Sequence, residues 1–179
     1  MPAPHHEPAV VFAPAPAGGL VRIATTLSFV VALLVAGGAV TAELLAHTPP
    51  PWPVFLALAA VPAVVGVIWL TAHIRGYQLE GDQLQIGLPL RTPGFSLSGL
   101  ESVVADREAL RGARRVVGNG GLRAITGRYR SRRLGRFHAY VTDPEHAVVL
   151  RWPGRCLVIS PQRHSFFVDT VRRRAGLSG

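Results

Sequence analysis

The sequence predicts two membrane-spanning helices followed by a mainly β domain that a C-terminal helix closes. Two apolar runs, residues 20–42 and 52–74, each have the length that a helix needs to cross the hydrocarbon core of a bilayer, about 20 residues. From residue 76 onward the continuous apolar runs give way to alternation of apolar and polar residues, punctuated by glycine and proline. That alternation is typical of β-strands joined by tight turns.

The chain begins with a segment that predicts no regular structure. Residues 1–19 are rich in proline, alanine and glycine and have no apolar periodicity, so we expect a flexible tail. The first apolar run follows, with Arg22 as its one charged residue. At about 1.5 Å per residue it would span roughly 34 Å as a helix. Residues 43–53 then form a short, proline-broken connection.

The second apolar run completes a predicted transmembrane hairpin over residues 20–75. Pro62 lies inside this run and is expected to kink the helix, while Trp52 and Trp69 lie towards its two ends. Tryptophan is common at those depths because the indole ring prefers the membrane–water interface. The sequence thus predicts a multi-pass protein of the cell membrane.

The orientation follows from the placement of arginine. The connection between the two runs has none, whereas Arg22 and Arg75 flank the opposite ends. Because positive residues stay on the cytoplasmic side, both termini are predicted to be cytoplasmic. As an alternative, Val40-Thr41-Ala42 resembles the small-residue site of a cleaved signal peptide. The β domain would be cytoplasmic in either case.

The β domain is predicted to occupy residues 76–174, with a short tail at 175–179. Tyr77 and Leu79 share one face of the first strand, and Gly81 opens the turn to a second strand of the same pattern. Further strands are predicted at residues 95–98, 102–105, 122–125, 135–142, 146–152 and 155–160. About seven antiparallel strands, in two sheets or a partly open barrel, account for this pattern.

The last element is predicted to be a helix that caps the β-structure. Ser160 is a favourable N-cap and Pro161 suits the first helical position. Phe167 and Val171 are four residues apart and so lie on one apolar stripe. The three arginines at 172–174 occupy the last turn, where positive charge complements the helix dipole.

The charge of the chain is concentrated in one arginine-rich stretch, residues 107–136. It contains ten arginines and one acid, Glu108, so its local charge equals the +9 of the whole chain. The alternation of Arg128, Arg130 and Arg132 would place them on one face of a strand. The candidate binding residues are Arg114, Arg115, Arg123, Arg128, Arg130, Arg132, Arg133 and Arg136.

Three kinds of partner fit this stretch, beside the alternative of a simply solvated face. We expect contacts with an acidic protein or with anionic lipid headgroups, since each arginine near an anionic membrane contributes about 1 kcal/mol. Nucleic acid is a weaker fit, because Tyr129 is the one aromatic residue among the arginines and base stacking needs several.

A glycine-rich segment lies inside the same stretch, at Gly118, Asn119, Gly120 and Gly121. Backbone amides of such a segment can cradle an anion. A phosphate-binding loop, however, opens a helix and carries a lysine, whereas here Leu122 starts an apolar run. The segment is therefore a candidate tight turn or bulge that needs positive φ, with anion binding as the second interpretation.

The sequence contains no recognisable catalytic, cofactor or metal motif. Its lone cysteine, Cys156, excludes an intramolecular disulfide and any paired-cysteine zinc site. His138, His146 and His164 have no serine or aspartate partners at a familiar spacing. We therefore predict a non-enzymatic protein with no catalytic residues, no metal and no cofactor.

Several spaced elements together resemble the bacterial pleckstrin-homology-like (PH-like) domains. They are YxLxGDxLxI from Tyr77, GNGGL from Gly118, LGRF from Leu134, YxTD from Tyr140 and ISP from Ile159. The resemblance implies two near-orthogonal antiparallel sheets with a C-terminal helix, often beside membrane helices, and no enzyme activity. It assigns no binding residues. On this basis we expect a membrane-anchored binding or scaffold protein that acts mainly through protein–protein contacts.

Overall fold

The computed structural model describes residues 9–46 and 52–177. Within them lie three helices, α1 (Gly19–Ala46), α2 (Trp52–Thr71) and α3 (His164–Ala175), and a one-turn 3-10 helix, Pro144–His146. The strands are β1 (Val10–Phe12), β2 (Gly76–Glu80), β3 (Gln83–Gly87), β4 (Gly94–Ser96), β5 (Ser102–Ala105), β6 (Arg114–Gly120), β7 (Ile125–Ser131), β8 (Gly135–Val141), β9 (Val148–Trp152) and β10 (Arg155–Ile159).

The strands form two sheets, which confirms the predicted PH-like β-structure. The smaller sheet has the order β1-β2-β3-β4 and is antiparallel throughout. The larger sheet has the order β5-β9-β10-β8-β7-β6. Its strands are antiparallel except for β8 and β10, which run parallel. The chain reverses direction between β8 and β9 and again in the β9–β10 hairpin, so β10 lies next to β8 in the same direction. This parallel pair is not part of the predicted antiparallel arrangement.

Two strands of the larger sheet differ from the sequence-based prediction. The strand predicted at residues 122–125 is mostly a turn, and the strands on its two sides, β6 and β7, are absent from the predicted set. Five of the seven residues of β6 form an exposed run at its start. An exposed, arginine-rich strand carries no alternation of buried and exposed residues, so the usual strand signal is absent.

The main core lies between the two sheets and beneath α3. Tyr77 and Leu157, from different sheets, are fully buried in it together with Phe167 of α3. The ring of Phe167 meets the ring of Phe12 edge-on, with 5.0 Å between centroids. These contacts confirm that the C-terminal helix caps the β-structure.

A second apolar cluster lies on the opposite face of the larger sheet. Ile125, Phe137 and Val158 are buried there. Ala109, from the loop before β6, and Val21, from the first turn of α1, cover this cluster. The larger sheet is therefore buried on both faces along part of its length.

Part of the expected N-terminal tail belongs to the β domain. β1 pairs with β2, and beyond it the Ala15 N–H donates to the Ser160 carbonyl at 2.8 Å. Phe12 is buried because its ring fills the space beside α3. The flexible tail predicted for residues 1–19 is therefore wrong for 10–18, while residues 1–8 lie outside the described part of the chain.

The predicted transmembrane hairpin is wrong. Among the helices of the described residues, none is both long enough and apolar enough to cross a membrane. The predicted localisation, a multi-pass protein of the cell membrane with both termini cytoplasmic, rested on this hairpin. It is therefore wrong as well. An apolar run predicts burial without identifying what covers it, and here Val21 in the first turn of α1 is fully enclosed by protein, whereas Leu20 and Ile23 beside it are exposed.

Candidate binding groove

The arginines of the arginine-rich stretch do not form one surface. Arg133 forms an ion pair with Asp106, and Arg111 forms one with Glu108 at 2.8 Å. The guanidinium of Arg123 lies 4.2 Å from the ring centroid of Trp69, a cation–π contact with α2. These three arginines have partners within the chain and are less available to a ligand.

The exposed arginines that do meet one another lie across β6, β7 and β8. Arg130 of β7 is directly opposite Arg136 of β8 on one side and Arg114 of β6 on the other. Side chains in such positions have Cβ atoms about 4.5–5.5 Å apart, and like charges there repel. Within the described residues, none of these three arginines has an acidic side chain at ion-pair distance. We call them the arginine row.

A second set of residues extends the arginine row into a groove of about 470 Å³. Arg128 lies on the same face of β7 as Arg130 and is directly opposite His138. Arg155 joins them from β10, with its guanidinium 4.8 Å from the Trp152 ring centroid and 5.4 Å from that of Phe95. The groove, which we call the basic groove, is lined by Val116, Arg128, Tyr129, Arg130, Arg136, Phe137, His138, Gly154, Arg155 and Cys156.

The electrostatics of the basic groove favour an anion. Partial burial lowers the pKa of His138, and the charges of Arg128, Arg155 and Arg91 lower it further. The part of the shift that comes from these guanidinium groups reflects a positive local potential. A bound carboxylate would offset the repulsion within the arginine row, and guanidinium groups can bind a carboxylate through two parallel hydrogen bonds.

The glycine-rich segment forms the end of β6 and, at Gly121, the start of the turn to β7. The Asn119 side chain donates to the carbonyls of Leu122 and of Ala124, the latter at 2.7 Å, and accepts the Leu122 N–H at 3.1 Å. The Arg123 N–H donates to Thr25 Oγ1 of α1 at 2.8 Å. The backbone of residues 118–120 pairs with β7, and the amides of Leu122 and Arg123 have acceptors in the chain, so the geometry favours a strand end and turn over the anion cradle.

Close approach of β6 and β7 explains why glycine is needed at Gly118. Gly118 is opposite Gly127, and both have φ of +129°. A Cβ atom on Gly118 would lie 2.1 Å from the Thr126 carbonyl oxygen, far inside van der Waals contact. The backbone at this point therefore excludes any side chain.

The structure separates some of the predicted site residues. Arg128 and Arg130 share a face, as the alternation predicted, but Arg132 lies beyond the end of β7 in the turn to β8. Arg115 lines a different cleft, beside the end of α2. His138 and Arg155 belong to the groove although the sequence pattern did not single them out as binding residues.

The remaining reactive side chains are engaged in structural contacts. His146 pairs with Asp143 at 2.6 Å, and the same carboxylate accepts the Glu145 N–H as the cap of the 3-10 helix. Burial raises the pKa of the Cys156 thiol, which disfavours the reactive thiolate. Among the described residues, no three histidine, cysteine, aspartate or glutamate side chains come together as a metal site.

Comparison with known proteins supplies one match. The family described as Bacterial PH domain matches residues 75–175, which is more than half of the chain and coincides with β2 through α3. No curated protein and no solved structure matches the chain.

Proposed function

The chain belongs to the bacterial PH domain family, and from that premise we propose that it is a non-enzymatic binding module whose basic groove binds an acidic segment of a partner protein. Domains of this kind act by binding proteins or lipids. The arginine row and the residues that extend it indicate which surface binds and what chemistry the ligand has.

The observation that carries the proposal is the uncompensated charge of the arginine row. Three arginines face one another across adjacent strands, and the described residues place no carboxylate beside them. Like charges in directly opposite positions destabilise a sheet. A protein that only needed solubility could spread these charges over its surface, whereas a carboxylate ligand would convert the repulsion into attraction.

The distribution of the other arginines favours a protein segment over a flat anionic lipid surface. Arg115 opens into the cleft beside α2, and Arg107 lines a cleft beside the start of α1. Arg123 is stacked on Trp69. Because these side chains lie on different parts of the domain, a single plane would meet only some of them, while the basic groove presents its charges to a narrow ligand together.

The test measures binding of a fluorescent glutamate-rich peptide to the full chain by anisotropy. Replacing Arg128, Arg130 and Arg136 together by glutamine should weaken binding about 10- to 100-fold, because each exposed ion pair contributes about 0.5–1 kcal/mol. Raising salt from about 0.05 M to about 0.5 M should have a similar effect, since the Debye length falls below 10 Å. A glutamine-rich peptide of the same length should not bind.

The matched control carries the same loss of charge elsewhere. Arg75, Arg163 and Arg173 are exposed and line neither the basic groove nor the cleft beside the start of α1, so replacing them by glutamine should leave peptide affinity within about twofold. Equal weakening by both triple variants would show an unspecific charge effect and overturn the proposal. Binding of anionic vesicles without binding of the peptide, lost in the groove variant, would instead support the lipid alternative.

A further inference from the structure

The free edge of β6 indicates how the acidic segment binds. Resting on the proposed function, we propose that the partner adds to the larger sheet as an extra strand along β6, and that its sequence alternates acidic and apolar residues. The inference rests on three features of the structure: the unpaired edge, the two different faces beside it, and the charge of the strand itself.

β6 is the last strand of the larger sheet in the strand order. Among the described strands it pairs with β7 alone, so one side of its backbone keeps unpaired N–H and C=O groups. Val116 and Val117 in its middle are each 60% exposed. Adjacent exposed valines on an open edge provide both the hydrogen-bonding groups and the apolar contact that an added strand uses.

The two faces of the sheet beside β6 have different chemistry. On one face lie Arg114 and Arg130, which belong to the arginine row. On the other face, Ile125 and Tyr129 of β7 are buried. They open into a cleft of about 440 Å³ that is also lined by Leu20, Arg107, Glu108, Leu110, Arg111, Ala113, Gly120 and Pro144.

The alternation of a strand matches these two faces. Successive side chains of an added strand point to opposite faces of the sheet. Every second residue would therefore lie beside Arg114, the member of the arginine row on β6, where carboxylates are favoured, and the residues between them would lie on the face of the largely apolar cleft. We therefore expect the partner segment to alternate acidic and apolar residues rather than to carry a block of acidic residues.

A second copy of this chain is a poor occupant of the same edge. Pairing β6 with another β6 would bring two basic strands together, each with Arg114 and Arg115 and no acidic residue. The bulge between Arg115 and Val117 interrupts the regular ladder as well. Edge strands that carry positive charge and a bulge are protected against pairing with themselves. A partner of opposite charge avoids the electrostatic part of this barrier.

The experiment uses a capped, labelled nine-residue peptide that alternates glutamate and valine, and the full chain. Two further peptides carry N-methyl groups on all glutamate amides or on all valine amides, with no change of charge. In a strand, the N–H groups of one of these sets point towards the neighbouring strand. We expect one methylated peptide to lose about 10- to 100-fold in affinity, as the loss of two or more hydrogen bonds implies, and the other to bind nearly as the unmodified peptide does.

Other outcomes separate this inference from the proposed function. If both methylated peptides bind as the unmodified one does, or both lose affinity equally, pairing with β6 is overturned while groove binding stands. If the unmodified peptide fails to bind, or binds the Arg128, Arg130 and Arg136 glutamine variant equally well, the proposed function itself fails. A dimer in sedimentation experiments that dissociates when peptide binds would place a second copy on this edge and overturn the assignment.

Discussion

Replacing Tyr77 by phenylalanine removes one oxygen atom from a buried link between the two sheets. The Tyr77 hydroxyl donates to the Tyr140 carbonyl at 2.8 Å and accepts the Ser160 N–H at 3.2 Å. Tyr77 is fully buried, so no water replaces the lost partner. A hydrogen bond contributes about 1 kcal/mol net, and leaving a buried donor unpaired costs about 1–3 kcal/mol. We expect the free energy of unfolding to fall by about 2–3 kcal/mol.

Urea and thermal unfolding of the full chain measure this loss. For a protein of this size the expected fall in Tm is about 5–10 °C. Tyr140→Phe is the matched control, because its hydroxyl makes no hydrogen bond within the described residues. The control should change stability by less than about 0.5 kcal/mol. Equal losses in the two variants would show that the link between the sheets has no special role.

The same variant predicts a change in alkaline stability. Burial raises the pKa of Tyr77 to about 12, although its hydrogen bonds with Ser160 oppose the shift. Because the folded pKa lies above the ordinary value of 10.0, the stabilisation from the neutral hydroxyl is complete below about pH 10 and is lost as pH rises towards about 12. The phenylalanine variant should lack this component. Identical alkaline unfolding of the variant and the wild type would contradict the assignment.

Two further predictions concern the cap and the groove. Phe167→Ala should lower the free energy of unfolding by about 3–5 kcal/mol in urea, because it removes a fully buried ring that packs on Phe12; a loss below about 1 kcal/mol would refute the capping role. The pKa of His138 in the folded protein is lowered from 6.5. The neutral imidazole therefore contributes fully to the stability of the fold above pH 6.5, and this contribution is lost as pH falls through the lower folded value. His138→Gln should therefore reduce the fall in Tm between about pH 7 and pH 5, whereas an unchanged fall would contradict the positive potential assigned to the groove.

Several elements could be predicted because their signal is local. The alternation from Tyr77 onward predicted the β2–β3 hairpin, and the stripe of Phe167 and Val171 predicted the face of α3 that packs on the core. In each case the evidence lies within a few residues, where the period of burial identifies the element.

The apolar N-terminal runs show the limit of such evidence. Both form helices, as their composition predicted, but the interpretation as membrane spans was wrong. Composition reports that side chains avoid water and does not identify their neighbours. The contacts of Val21 with the second cluster, and of Thr25 with the turn after β6, join residues about one hundred positions apart. Nothing in the first run alone encodes those contacts.

The sequence by itself determined the PH-like class of the β domain, its helical cap and the stretch in which the charge lies. The tertiary structure decided which arginines meet. It pairs Arg123 with Trp69 and Arg133 with Asp106, both distant in sequence, and it separates Arg132 from Arg130. The parallel pairing of β10 with β8 adds Arg155 to the groove. The physical reason is that side-chain period is a property of one strand, whereas strand order and register are set by packing between distant segments.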